Sequence, residues 1–80
     1  MTYPEIQEKL TGVFRQVFDE PGLVVGDATT ANDVVGWDSL VHVTLIVAVE
    51  RAFGVHFTTK EVKSLANVGD FIRLIEKRAK

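Results

Sequence analysis

Cysteine is absent from the 80 residues, so neither a disulfide framework nor a thiolate metal site is open to the chain. The two histidines, His42 and His56, are too far apart to share one helical turn, which removes the other common route to a metal centre. Basic residues are few: nine Lys and Arg stand against eleven Asp and Glu, a formal charge of −2. That leaves no footprint for nucleic acid and no polybasic segment for an anionic membrane. Long apolar runs are missing too. The longest, Val43 to Val49, is interrupted by Thr44, and it falls far short of the ~20 residues that cross a bilayer. The opening residues Met1-Thr2-Tyr3-Pro4-Glu5 have neither the basic nor the apolar character of a targeting segment. The expectations are therefore no membrane insertion, no nucleic-acid partner, a cytoplasmic location and a monomer.

With 46% hydrophobic and 25% charged residues and only two prolines, residues 1–80 read as one compact domain, too short for a second core. At about 0.05–0.15 kcal/mol per residue the fold holds roughly 4–12 kcal/mol. An elaborate buried polar active site is hard to support on that, which argues against a self-sufficient enzyme. Charge is unevenly spread. Residues 1–38 carry seven carboxylates against two cations, and residues 39–80 carry seven cations against four carboxylates. Some of the later cations, Lys77, Arg78 and Lys80, complement the negative end of a terminal helix as a solvated helix end.

Ile6, Leu10, Val13, Phe14, Val17 and Phe18 form one stripe of an amphipathic helix over about Tyr3 to Phe18. Thr2 and Glu5 have the spacing of a capping box, Pro4 suits a first turn, and Pro21-Gly22 prevents continuation. A long connection follows to Asp38, and its aliphatics Leu23, Val24, Val25, Val34 and Val35 are expected to pin it to the core. Leu40 to Phe53 is rich in β-branched residues, but its length, with Asp38 before it as N-cap and Gly54 after it as stop, decides for helix. The predicted buried line is Leu40, Val43, Ile46, Val49 or Glu50, and Phe53; Val41, Thr44, Val47, Glu50 and Arg51 are left toward solvent. Thr58 with Glu61 opens a short helix to about Leu65, and Asn67 with Asp70 opens the last, whose stripe is Val68, Phe71, Ile72 and Ile75. The fold class is all-α, a four-helix bundle of three main helices and one short one, with no strand.

The chemically informative stretch is Gly36-Trp37-Asp38-Ser39-Leu40. It sets a serine at the first position of a helix behind an aspartate cap. Unpaired N–H groups and the positive end of the helix dipole favour an anionic phosphate there. A serine hydroxyl is no nucleophile without an adjacent base. Asp38, Ser39 and His42 do not make a hydrolase triad, because nothing orients a base on the same helix and so small a chain offers no oxyanion pocket. Trp37 reads as a packing aromatic over the loop, and His56 as a loop residue after the helix stop.

Asp38-Ser39-Leu40, opening an apolar helix that ends Val49-Glu50-Arg51-Ala52-Phe53-Gly54-Val55, resembles the phosphopantetheine attachment region of the acyl carrier proteins, and helix order and length extend the similarity over nearly the whole chain. The resemblance implies that a separate phosphopantetheinyl transferase moves a 4'-phosphopantetheine arm from coenzyme A onto Ser39. The arm's thiol, which explains why cysteine is dispensable, then carries acyl groups as thioesters. Asp38 would cap the helix and help the transferase hold its metal ion. Leu40 would fix the turn by burial, and His42 would be a half-exposed residue near the arm's phosphate. Val41, Thr44, Val47, Glu50 and Arg51 would form the surface read by an acyl-loading enzyme and by synthase or transferase partners. Part of an acyl chain would slip between helices lined by Ile46, Val62 and Leu65.

This chain departs from acidic fatty-acid carriers in having no carboxylate after Ser39 until Glu50. Docking should then rest on apolar contact more than on salt-sensitive steering, which favours a dedicated pathway such as polyketide, modified-lipid or other secondary-metabolite assembly. Trp37 fits a subset of discrete carriers better than the Gly-Gly-x-Ser style of peptidyl carriers. An aminoacyl or peptidyl carrier loaded by an adenylating enzyme, and a small helical adaptor without prosthetic group, are the alternatives.

Overall fold

The computed structural model describes residues 2–78; Lys80, expected to complement the last helix, lies outside them. Four α-helices follow in order: α1 Tyr3–Val17, α2 Ser39–Phe53, α3 Thr59–Lys63 and α4 Val68–Arg78, with a single 3-10 turn at Ala31–Asp33 and no strand among the described residues. The helix starts are where the local signals put them. Thr2 with Glu5 and Thr58 with Glu61 form reciprocal capping boxes, and Asn67 Oδ1 accepts from the Asp70 N–H at 2.8 Å. Helix α2 stops at Gly54, whose φ of 67° needs no side-chain tolerance. Helix α1 gives way one residue before the predicted end, at the cap Phe18, because Asp19 takes a left-handed φ of 52°.

Helix α1 packs against both α2 and α4, and Ile6, Leu10, Phe14, Leu45, Ile72 and Ile75 are fully buried between them. The first and last stripes face the core as their periodicity predicts. Helix α2 does not. Leu45, Ile46 and Val49 are buried, whereas Leu40 and Val43, expected inside, are 79% and 61% exposed. Val41, expected in solvent, is half-buried. The helix is rotated by roughly one residue from the predicted phase, since nearly every position on it is apolar and periodicity cannot pick the inner face.

The long connection is held partly as predicted. Val25 and Val34 are buried and Leu23 packs on the core, but Val24 is 75% and Val35 98% exposed. Neighbours in extended chain point to opposite sides, so Val24 faces out when Val25 turns inward, and Val35 stands out on the turn between Val34 and Trp37. Hydrogen bonds supply the remaining anchorage. Arg15 Nε donates to Leu23 O at 2.8 Å, and the carbonyls of Thr29 and Asp27 accept the first N–H groups of α4, from Val68 and Gly69, both at 2.9 Å. Gly69 permits that approach: a Cβ there would stand 3.0 Å from Asp27 O. Arg78, read as a solvated helix end, instead donates to Glu61 and ties α4 to α3.

The carboxylates at three helix starts are held below their ordinary values. The Thr2 backbone N–H lowers Glu5 and that of Thr58 lowers Glu61, each from 4.5. Asp70 is lowered from 3.8, first by Arg73 and then by the Ala66 N–H. A lowered folded-state pKa contributes stability that is fully present above the unfolded value and is lost as pH falls through the folded one. The melting temperature is therefore expected to hold level above the ordinary carboxylate range and to fall below it. Substituting Glu5→Gln, Glu61→Gln and Asp70→Asn together should flatten that decline, as thermal melts across acidic pH will show; an equal slope in the triple variant would refute the assignment.

Candidate functional site

The chain reaches α2 through a turn closed by the Trp37 N–H on Val34 O at 3.2 Å. Gly36, at the third position of that turn, has φ 88°, where a side chain would be strained. Asp38 is extended and caps the helix, its Oδ1 accepting from the Val41 N–H at 2.9 Å. Ser39 is the first helical residue and is exposed. Among the described residues, no protein acceptor takes the N–H of Ser39 or Leu40. These are the unpaired donors expected at a helix start.

Beside Ser39 opens a cleft of about 520 Å³. Trp37, Ser39, His42 and Val43 line one side, while Val62 of α3, Leu65 just after it and Phe71 of α4 line another. Val62 and Leu65 therefore stand where sequence reasoning expected them, but Ile46 does not; it is buried in the core, and Val43 takes its place. A larger groove of about 640 Å³ runs along α1 past Glu5, Glu8, Lys9 and Gln16 and contains none of these residues.

Trp37 is half-buried, as a packing aromatic should be. Its ring meets Phe14 edge-on at 5.2 Å between centroids and lies 6.2 Å from Phe18. Its Nε1–H donates to His42 Nδ1 at 3.0 Å, a contact the sequence reading missed. Trp37 precedes the N-cap and His42 is the fourth helical residue, the two positions of a hydrophobic staple; that spacing was the available signal.

The expected partner surface is only partly assembled. Thr44, Val47 and Arg51 are exposed as predicted. Glu50 is half-buried, its Oε2 accepting from the Phe57 N–H at 2.9 Å and lying 3.7 Å from His56 Nδ1. Leu40 does not fix the turn by burial. Together with Val43 and Val47 it forms an exposed apolar row on α2.

A family described as a phosphopantetheine attachment site matches residues 8–75. The acyl carrier protein of Prochlorococcus marinus (strain MIT 9515) is 35% identical over 77 residues, covering 95% of this chain and 95% of that one. That of Thermosynechococcus vestitus (strain NIES-2133 / IAM M-273 / BP-1) is 35% identical over 79 residues, covering 98% and 96%. The solution NMR structure of a holo acyl carrier protein from Geobacter metallireducens superposes with a TM-score of 0.85 at 43% identity, covering 90% of this chain and 83% of that chain. The chain belongs to the phosphopantetheine-binding family of acyl carrier proteins. Its cofactor is a covalently attached 4'-phosphopantetheine. The surroundings of Ser39 fit such a group, with an exposed hydroxyl, two N–H groups available to a phosphate and an open apolar cleft alongside. No described helix is long and apolar enough to cross a membrane.

Proposed function

We propose that Ser39 is the attachment point, and that the chain carries acyl intermediates of a dedicated pathway while catalysing none of their reactions. The observation that carries this reading is the exposed Ser39 hydroxyl at the first position of α2, at the mouth of the cleft. On loading, Ser39 Oγ forms a phosphodiester with the phosphopantetheine phosphorus of coenzyme A, and adenosine bisphosphate leaves. The hydroxyl proton goes to a base on the transferase: His42 has its Nδ1 engaged by Trp37, and Asp38 serves as the helix cap, its Oδ1 accepting from the Val41 N–H. Once attached, the arm supplies the thiol that holds an acyl group as a thioester. Asp38 keeps the helix start formed, and the cleft walls Val43, Val62 and Leu65 shelter the apolar part of the cargo. The direct test is intact mass before and after incubation with coenzyme A, magnesium and a broad-specificity phosphopantetheinyl transferase. A gain of one phosphopantetheine supports the reading. No gain on a folded apo chain leaves Ser39 an ordinary helix-start residue in a helical adaptor.

The transferase, the acyl-loading enzyme and later synthase or transferase partners would meet the row Leu40, Val43 and Val47, flanked by Thr44 and Arg51. With Glu50 occupied by Phe57, the exposed face of α2 carries no unengaged carboxylate beyond Asp38. Docking there depends on apolar burial, which salt leaves intact. Val43→Asp and Val47→Asp are each expected to lower kcat/KM for acyl loading by roughly tenfold or more. Raising salt should change the wild-type value by no more than about threefold. A steep loss of activity with salt in the wild type would contradict an apolar docking face.

A further inference from the structure

We propose that His42 is a binding residue for the arm's phosphodiester and that Trp37 is the positioning residue that sets its tautomer; the proposal rests on the reading of Ser39 as the attachment point. An indole nitrogen can only donate, so the 3.0 Å contact makes His42 Nδ1 the acceptor. A neutral imidazole accepting at Nδ1 carries its one proton on Nε2. The lock is rigid because the indole is itself held. It stands edge-on to the fully buried ring of Phe14 and near Phe18, so the core of α1 sets the imidazole's orientation. A staple of two apolar side chains would serve the helix start equally well. The use of a donor and an acceptor here has one further chemical consequence, a fixed N–H on the outer edge of the ring.

That N–H has no protein acceptor among the described residues, and His42 shares the lining of the cleft with Ser39. Residues three apart on a helix stand about 5–6 Å apart at Cβ, so a phosphate on Ser39 Oγ comes within reach of the imidazole edge. The phosphate also needs a donor at this place. Asp38, the preceding residue, brings a carboxylate of like charge, and its Oδ1 already takes the Val41 N–H. The Nε2–H of His42, with the N–H groups of Ser39 and Leu40, would complete the set of donors around the phosphate.

The experiment uses the protein loaded with phosphopantetheine, its mass verified, and compares 31P and imidazole 15N spectra at one fixed pH. Loading is expected to shift His42 Nε2 while leaving Nδ1 nearly unchanged. His42→Asn keeps an acceptor for Trp37 where Nδ1 stood but offers nothing where Nε2 stood; its 31P resonance should move toward that of the arm on the denatured chain. His42→Gln, whose amide nitrogen reaches the Nε2 position, should restore it in part, and Trp37→Phe, which frees the tautomer, should give an intermediate value. A proton found on Nδ1, or a 31P resonance identical in wild type and His42→Asn, overturns the role of His42 while leaving the attachment intact. An unchanged resonance in Trp37→Phe overturns the positioning role of Trp37. Failure of the wild type to take up the arm removes the attachment reading and this inference with it.

Discussion

Ser39→Ala is expected to take up no phosphopantetheine while melting at nearly the wild-type temperature. The chain contains two serines, Ser39 and Ser64, so the control is built in. Ser64 Oγ donates to Glu61 O at 2.8 Å after α3 and does not line the cleft beside Ser39, and Ser64→Ala should load fully. The stability expectation follows from the surroundings of Ser39. It is exposed, it is the first helical residue, and the cap is Asp38 beside it, whose hydrogen bond to the Val41 N–H is untouched. Alanine is a good helix former, and a surface change away from caps and core usually stays within about 0.5 kcal/mol. An all-or-none loss of mass gain with an unchanged melt separates a modified residue from a structural one. Mass gain in Ser39→Ala would place the attachment elsewhere and remove the proposed function as stated.

Phe14→Ala is expected to cause the largest loss of stability and to loosen the site without touching it. The ring is fully buried, stacks on Phe18 at 5.7 Å and seats Trp37 at 5.2 Å. Truncating a buried phenylalanine costs about 3–5 kcal/mol, against the roughly 4–12 kcal/mol available to a chain of this size. Much of the population should be unfolded at mild temperature, with a urea midpoint shifted far down. Phe14→Leu, which refills most of the space, should keep the fold and isolate the local effect, seen in Trp37 fluorescence. A loss below about 1 kcal/mol in Phe14→Ala would mean that the aromatic cluster does not hold the loop.

The elements legible in the sequence are those set by short-range backbone chemistry. Thr2 with Glu5, Thr58 with Glu61 and Asn67 with Asp70 each satisfy orphan N–H groups across three residues. Gly54 ends α2 by an αL geometry it adopts without strain. The same locality let Asp38 and Ser39 be read as cap and first helical residue, which is the whole of the candidate attachment geometry. The cleft was half legible: Val62 and Leu65 were named, but Val43 and Phe71 were not.

Decisions that compare surfaces distant in sequence belonged to the tertiary structure. On α1 and α4 polar residues cover one face, so burial against any partner selects the same stripe. On α2, Leu40, Val43 and Val47 are as apolar as Leu45, Ile46 and Val49, and only packing against α1 sends the second set inward and leaves the first exposed. The same holds for Glu50, whose carboxylate accepts from the Phe57 N–H, and for Arg78, which reaches across to Glu61 while staying exposed. Trp37 and His42 lie between the two cases. Their spacing is local, but the seat that Phe14 provides exists only once α1 and α2 have packed. What the sequence alone determined is where each helix begins and where the serine stands, because caps are local hydrogen bonds. Which face of α2 stays exposed was left to packing, because burial is a property of two surfaces.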